Sequence, residues 1–175
     1  MKVGVKMRLL KVKEHLAYEA SKICALSWKK AYQGILPQNY LDDLPLNKSE
    51  ASLINTVFEN YHENFILEDQ GNYVAMSSIG ASRDLKYKDF GEIMSIYVLP
   101  EMFRKGYGRY LFEQDLKKLK EQVYFKVYLW VLEQNKEVRL FYEKMGFYPN
   151  GDAMVTTICG KEVVEIRYVN SIWTV

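Results

Sequence analysis

Residues Phe90–Phe112, FGEIMSIYVLPEMFRKGYGRYLF, change backbone habit once, sharply, within a short span. Phe90–Leu99 is dense in β-branched, aromatic and long apolar residues and reads as a strand, which Pro100 ends because it cannot donate to a ladder. From Gly106 or Gly108 a helix is expected to run to about Gln122. Phe112, Leu116, Leu119 and Val123, at four-, three- and four-residue steps, mark its buried stripe. Between strand and helix lies PEMFRKGYGRY (Pro100–Tyr110). Glycines at 106 and 108 let main-chain amides approach an anion with no β-carbon in the way. Those amides sit at a helix N-terminus, where unpaired N–H groups and the helix dipole favour phosphate. Arg104 and Lys105 add positive charge. Taken alone, the loop reads first as a glycine-bearing turn with a solvated basic face. A P-loop needs G-x-x-x-x-G-K-[ST], which is absent, and the dinucleotide fingerprint needs a third glycine where Leu111 stands.

Working outward, Tyr124–Leu132 (YFKVYLWVL) is nearly continuously apolar, the pattern of a strand covered on both faces. Asn135–Met145 reads as a helix closed by Gly146. Two last strands flank Cys159-Gly160-Lys161 as a hairpin. Upstream, MRLLKV reads as a strand and about Lys13 to Tyr32 as a helix, broken by Gly34 and Pro37. Short helices are expected over Tyr40–Leu44 and Lys48–Tyr61. Strands over Asn64–Glu68 and Tyr73–Ile79 then turn through Asp69–Asn72. Strand–helix–strand–helix–strand order in the second half implies parallel pairing at least in part, so the class is α/β or α+β with a mixed sheet.

Two segments carry a family resemblance. FGEIMSIYVLPEMFRKGYGRYLF resembles the strand–loop–helix signature of the GNAT N-acetyltransferase superfamily, whose loop is commonly written [Q/R]-x-x-G-x-[G/A]. Gly106 and Gly108 match, while Phe103 stands where Gln or Arg is usual. LWVLEQNKEVRLFYEKMGF (Leu129–Phe147) resembles the family's second motif, N-x-x-A-x-x-F-Y-x-x-x-G-F. Asn135, Phe141, Tyr142, Gly146 and Phe147 match, and Val138 replaces the alanine. The resemblance covers about residues 64 to 170. It implies a mostly antiparallel central sheet with a parallel pair in the middle and helices on both faces. It also implies acetyl transfer from acetyl-CoA to a primary amine, by direct attack in a ternary complex. On the same ground the coenzyme A pyrophosphate falls to the loop amides, with Phe103, Arg104, Lys105, Gly106, Tyr107, Gly108 and Arg109 around it. Ile96, Tyr97, Val98, Asn135 and Phe141 would line the pantetheine. Asn135 reads equally as a helix N-cap, and Phe141 and Tyr142 share a helical face that packing would also explain. In the family this tyrosine often points its hydroxyl at the CoA sulfur. With ordinary pKa values of about 10 for Tyr and 8.5 for a thiol, full proton transfer is uphill by about 2 kcal/mol, so hydrogen-bond donation is the expectation.

The attacked amine must be neutral, yet a lysine-like amine has a pKa of about 10.4. Glu92 is the candidate to take its proton. It would share side-chain parity with Met94, Ile96 and Val98, and apolar neighbours would raise its pKa. An exposed glutamate at the start of the strand is the equal alternative. Acceptor specificity is expected from the N-terminal half, where Trp28, Tyr32 and Tyr40 could line a pocket, although the four-residue spacing of Trp28 and Tyr32 explains that pair by packing.

The 175 residues form one expected domain, 1–175, with net charge +2, 49% hydrophobic and 26% charged residues. So balanced a charge argues against nucleic acid or membrane as partner. No run reaches the ~18 apolar residues of a membrane span, and the N-terminus lacks a secretory pattern. Cys24 and Cys159 fit no metal spacing and read as free thiols of a cytoplasmic protein. His15 and His62 have no ligand partner in sight, so no metal is expected. Subunit pairing is common in the family, so a homodimer stands among the expectations. A non-catalytic acyl-CoA-binding sensor or interaction module is the competing class.

Overall fold

The computed structural model describes residues 7–44 and 62–171. In chain order these form β1 (Arg8–Lys11), α1 (Glu14–Ala31), α2 (Gln38–Asp42), β2 (His62–Asp69), β3 (Asn72–Ala81) and β4 (Gly91–Val98). They continue as α3 (Tyr107–Glu121), β5 (Lys126–Leu132), α4 (Lys136–Lys144), β6 (Tyr148–Ile158) and β7 (Lys161–Ser171). The strands make one sheet in the order β1-β2-β3-β4-β5-β7-β6. Every neighbouring pair is antiparallel except β4 and β5, which run parallel. The mixed sheet with a central parallel pair is the expected one. The helix expected over Lys48–Tyr61 lies outside the described residues.

Local chemistry explains the boundaries. Gln70 (φ 53°) and Gly71 (φ 79°) make the two-residue turn of the β2–β3 hairpin, both residues in the left-handed region such a turn demands. Cys159 and Gly160 do the same between β6 and β7. Helix α1 buries Leu16, Ala20, Ile23, Cys24 and Ser27 along one face and stops before Gly34 and Pro37. The second helix starts earlier than expected, at Gln38, because Pro37 sits well immediately before a first turn. Asn135 caps α4, its side chain accepting from the Val138 N–H.

Helices cover both faces of the sheet. On one side Leu16, Ala20, Ile23 and Cys24 of α1 pack on Ile66, Met76 and Tyr97. On the other, Phe112 and Leu119 of α3 and Tyr142 of α4 pack on Ile93, Val127, Leu129 and Tyr168. The α3 stripe differs from expectation at its end. Val123 is 70% exposed, with φ 71°. The helix has finished at Glu121, so Val123 follows turn geometry instead of the helical period. Leu111 and Asp115 complete the buried face instead. Among the described residues no helix is long and apolar enough to cross a membrane, and no group of three His, Cys, Asp or Glu is arranged for a metal.

The α3–β4 contact is close at one point. A β-carbon on Gly91 would lie 2.9 Å from Leu119 Cδ2 and 3.1 Å from Tyr124 Cβ. Overpacking of this kind costs about 1–3 kcal/mol, offset by the ~0.4–1 kcal/mol that alanine gains through the unfolded chain. Gly91→Ala is therefore expected to lower the melting temperature by several degrees in a thermal unfolding scan, at about 2–4 °C per kcal/mol. An unchanged or raised value would contradict this packing.

Candidate functional site

Strand β4 contains one residue too many for its partner. Ser78 of β3 pairs with Ser95, yet Ile79 pairs with Ile93, so Met94 is an unpaired bulge. A bulge bends its strand and re-aims the residues beyond it. Two consequences are visible. The ladder to β5 holds only at Gly91–Val127, Glu92–Tyr128 and Ile93–Leu129. Beyond it β4 runs on with β3 while β5 runs on with β7, leaving a fork between the strands. The bulge also resets the face of each side chain. Ile93, Ile96 and Val98 all face α3, whereas Tyr97 and Leu99 face α1.

Glu92 accordingly lies on the opposite face from Ile96 and Val98, which corrects the expected parity. Its surroundings are also not apolar. The carboxylate is 1% exposed and accepts from Arg83 Nη2 (2.7 Å), Arg83 Nε (3.2 Å), the Arg83 main-chain N–H (3.1 Å) and the Tyr128 hydroxyl (2.8 Å). Burial alone would raise this carboxyl. The Arg83 hydrogen bonds and charge, with the Tyr128 hydroxyl, outweigh it and hold Glu92 below the ordinary value. The expected rise is overturned: the strand pattern shows apolar neighbours in sequence but not the guanidinium that the β3–β4 loop brings across.

The loop after β4 leads into the fork's open end. Pro100–Met102 forms one 3₁₀ turn, Arg104 adopts φ 61° and Gly106, at φ 90°, is the N-cap of α3. That φ is one glycine adopts without strain. Tyr110 N–H is the first to bond back, to Gly106 O. The main-chain N–H groups of residues 104–109 have no acceptor among the described residues. Gly108 packs against Val98, where a β-carbon would meet Cγ2 at 3.5 Å, an ordinary contact. Tyr107 donates its hydroxyl to Asp69 (2.6 Å), pinning the start of α3 to the β2–β3 turn. Arg104 reaches Glu137 in the first turn of α4 at 3.5 Å, both side chains exposed, and Phe103 is 38% exposed. Lys105 lies over Met102 Sδ, and Arg109 pairs with Glu113 along α3.

Tyr142 comes from the second turn of α4 and is 6% exposed. Its ring packs on Phe112 and Phe141, at 5.7 and 5.4 Å between centroids, and the hydroxyl makes no hydrogen bond among the described residues. Burial, then the nearby Tyr32 and Asp115, push its pKa up, so the hydroxyl keeps its proton at neutral pH. Phe141 stacks edge-on against Phe112. Asp115 lies in the same core, fully buried, accepting from Ser77 Oγ (2.8 Å), and burial raises its carboxyl well above the usual range. On the α1 side, Trp28 and Tyr32 stack edge-to-face at 5.0 Å and pack over Leu132 and Val163. Ser27 donates to the Val98 carbonyl, tying α1 to the end of β4. Cys24 is buried and its thiol is pushed up to about 12, which makes it a poor nucleophile.

Several charged residues on the α1 side carry no motif. Arg167 of β7, 4% exposed, lies over the rings of Tyr87 (3.8 Å), Trp130 (4.5 Å) and Tyr128 (4.9 Å) and pairs with Asp84 and Asp152. Glu165, two residues before it, is half-buried. A signal was available in the sequence: Glu165 and Arg167 share parity in the otherwise apolar run VVEIRYV, where charges at strand spacing imply polar partners across the sheet.

The model of the acetyltransferase (GNAT) family matches residues 23–147. A Bacillus subtilis protein described as an uncharacterized N-acetyltransferase, YuaI, is 28% identical over 126 residues, covering 71% of this chain and 70% of its own. Two solved structures share the fold. One is the PaiA N-acetyltransferase of Thermoplasma acidophilum in complex with coenzyme A, with TM-score 0.66, 18% identity and coverage of 91% and 98%. The other is YncA of Salmonella typhimurium with its cofactor acetyl-CoA, with TM-score 0.69, 14% identity and coverage of 97% and 95%. The family match begins inside α1, takes in the bulged strand, the free-amide loop and α4, and spans well over half the chain: this protein belongs to the GNAT family of acetyltransferases.

Proposed function

We propose that the protein transfers the acetyl group of acetyl-CoA to a primary amine by direct attack within a ternary complex. The observation that carries this is the β4–β5 fork with unpaired amides at its mouth. Six consecutive N–H groups at residues 104–109, beside Arg104 and Lys105, suit a diphosphate. The fork beyond the Ile93–Leu129 pair suits an extended amide-bearing arm lying alongside Ile96, Tyr97 and Val98. Main-chain N–H groups there would stabilise charge developing on the thioester oxygen. Direct transfer is favoured because Cys24 is buried with a raised pKa and Cys159 sits on the exposed β6–β7 hairpin.

Tyr142 supplies a protonated hydroxyl with no internal acceptor, which suits donation to the departing thiolate. Because burial raises the phenol further, complete proton transfer to a thiolate becomes less favourable still, and a strengthening hydrogen bond is the role assigned. For Glu92 we assign a positioning role in place of proton acceptance. Its oxygens already accept from Arg83 and Tyr128, and its depressed pKa makes it a weaker base. It holds the β3–β4 loop at the edge of the acceptor face.

Three measurements check this reading. Incubation with acetyl-CoA and a panel of primary amines is expected to release free thiol with at least one. Binding of acetyl-CoA with no release across the panel would favour the non-catalytic module. Tyr142→Phe is expected to lower kcat by about a hundredfold, the lower end of the range for a positioned donor, with the Kd for coenzyme A within about threefold of the parent. An unchanged kcat removes the role. For Glu92 the sign follows from its depressed carboxyl: its contribution is present above the ordinary value of 4.5 and is lost as pH falls through the lower folded-state value. Glu92→Gln should therefore cost about 1–3 kcal/mol in urea unfolding at pH 7 and much less at pH 3, without moving the pH at which the rate rises. Equal losses at both pH values would contradict the ion pair, and a displaced rate profile would restore Glu92 as the base.

A further inference from the structure

The charges on the α1 side of the sheet are almost all matched internally. Arg83 pairs with Glu92, and Arg167 with Asp84 and Asp152. Lys161, at the far end of β7, donates to the Ile35 carbonyl, and Lys126 lies over the Phe90 ring. Glu165 is the exception. It is half-buried in β7, opposite Leu132 of β5, and its carboxylate makes no hydrogen bond or ion pair among the described residues. Its parity with Val163, which packs with Leu36, Leu41 and Leu132, and with Arg167 puts it on the α1 side. There its charge is felt by Tyr32 at the end of α1 and by Arg83 in the β3–β4 loop. On β5, Leu132 stands directly opposite Glu165, and the half-buried Trp130 stands opposite Arg167, whose guanidinium lies over its ring.

We propose that Glu165 selects acceptors carrying a second positive charge, holding that distal cation while the attacked nitrogen lies at the β4–β5 fork. The inference rests on the acetyl-transfer reading above and narrows its acceptor to short aliphatic diamines and their longer homologues. Geometry separates this from a role as base. Neighbouring strands stand about 4.8 Å apart, so β7 lies about 10 Å from β4 across β5. That is too far for Glu165 to take a proton directly from the attacked nitrogen. It is a fitting span for a second nitrogen a few methylenes away. A half-buried carboxylate left without a partner gains from an arriving ammonium. A monoamine of equal length would leave Glu165 as it is and offer no such gain.

The test is calorimetric titration of 1,4-diaminobutane and of 1-aminobutane into the protein saturated with coenzyme A, repeated with Glu165→Gln. Circular dichroism and coenzyme A affinity check that the variant is folded. The diamine is expected to bind at least about tenfold more tightly than the monoamine, and the substitution to bring the two within about twofold. Equal affinities in the native protein, a preference that survives Glu165→Gln, or no binding of the diamine would each overturn the proposal. Failure of the acetyl-transfer reading would appear elsewhere, as absence of thiol release with any amine, whereas this binding preference is read without turnover.

Discussion

Three residue pairs hold β4 to β5, and then the ladder stops. The cause is local: Met94 has no partner on β3, and the bend it introduces carries the rest of β4 away from β5. Main-chain groups along such an opening must find partners elsewhere, since unpaired buried amides and carbonyls are costly. On the proposed reading that partner is an extended donor substrate rich in amides. The bulge is therefore the feature on which the functional reading depends. It opens the cleft, and it directs Ile96 and Val98 to one face and Tyr97 to the other.

The fork separates two chemically different neighbourhoods. On the α3–α4 side the walls are Phe112, Phe141, Tyr142 and Phe147, with Phe112 5.2 to 5.7 Å from each of the other three rings, and behind them Asp115, whose carboxyl is held by burial well above the usual range. A phenol held in that apolar wall keeps its proton, as a hydrogen-bond donor should. The α1 side is polar and tightly cross-linked, with Arg83 on Glu92 and Arg167 sandwiched among Tyr87, Tyr128 and Trp130. Fixing the β3–β4 loop in this way would, on the proposed reading, present a formed surface to an incoming amine, so that little ordering remains to be done on binding. Buried ion pairs of this kind are weak evidence for stability. Their placement around the proposed acceptor face fits a role in holding its shape.

Much of the architecture was legible in the residues. The switch from strand period to helical period across Pro100–Gly108, the continuous apolar run at Tyr128–Leu132 and the Asn135 and Gly146 boundaries of α4 all encode local structure, and local structure is what periodicity and capping report. The loop glycines were legible for the same reason, Gly106 needing a positive φ that its position before α3 supplies. Side-chain parity along β4 was not. One extra residue at Met94 inverts the alternation, and nothing in GEIMSIYV marks the bulge, because it exists only relative to β3. The Glu92 environment was hidden likewise. Its partner Arg83 lies nine residues earlier but reaches it only because the β3–β4 connection folds back, and Tyr128 arrives through the parallel pairing. Val123 was misplaced by extrapolating the helical period past the end of α3. Glu165 carried a readable hint in its parity with Arg167, but which face they share is a property of the assembled sheet.

The central claim is that the unpaired amides between Arg104 and Arg109 grip a diphosphate and so aim a thioester along β4. Amide chemical shifts of the isotopically labelled protein, followed through a titration with coenzyme A, address it most directly. Saturable changes largest at residues 104–109 and extending to 96–98 are predicted. Shifts elsewhere with these residues unmoved, or no saturable change at all, would contradict the account.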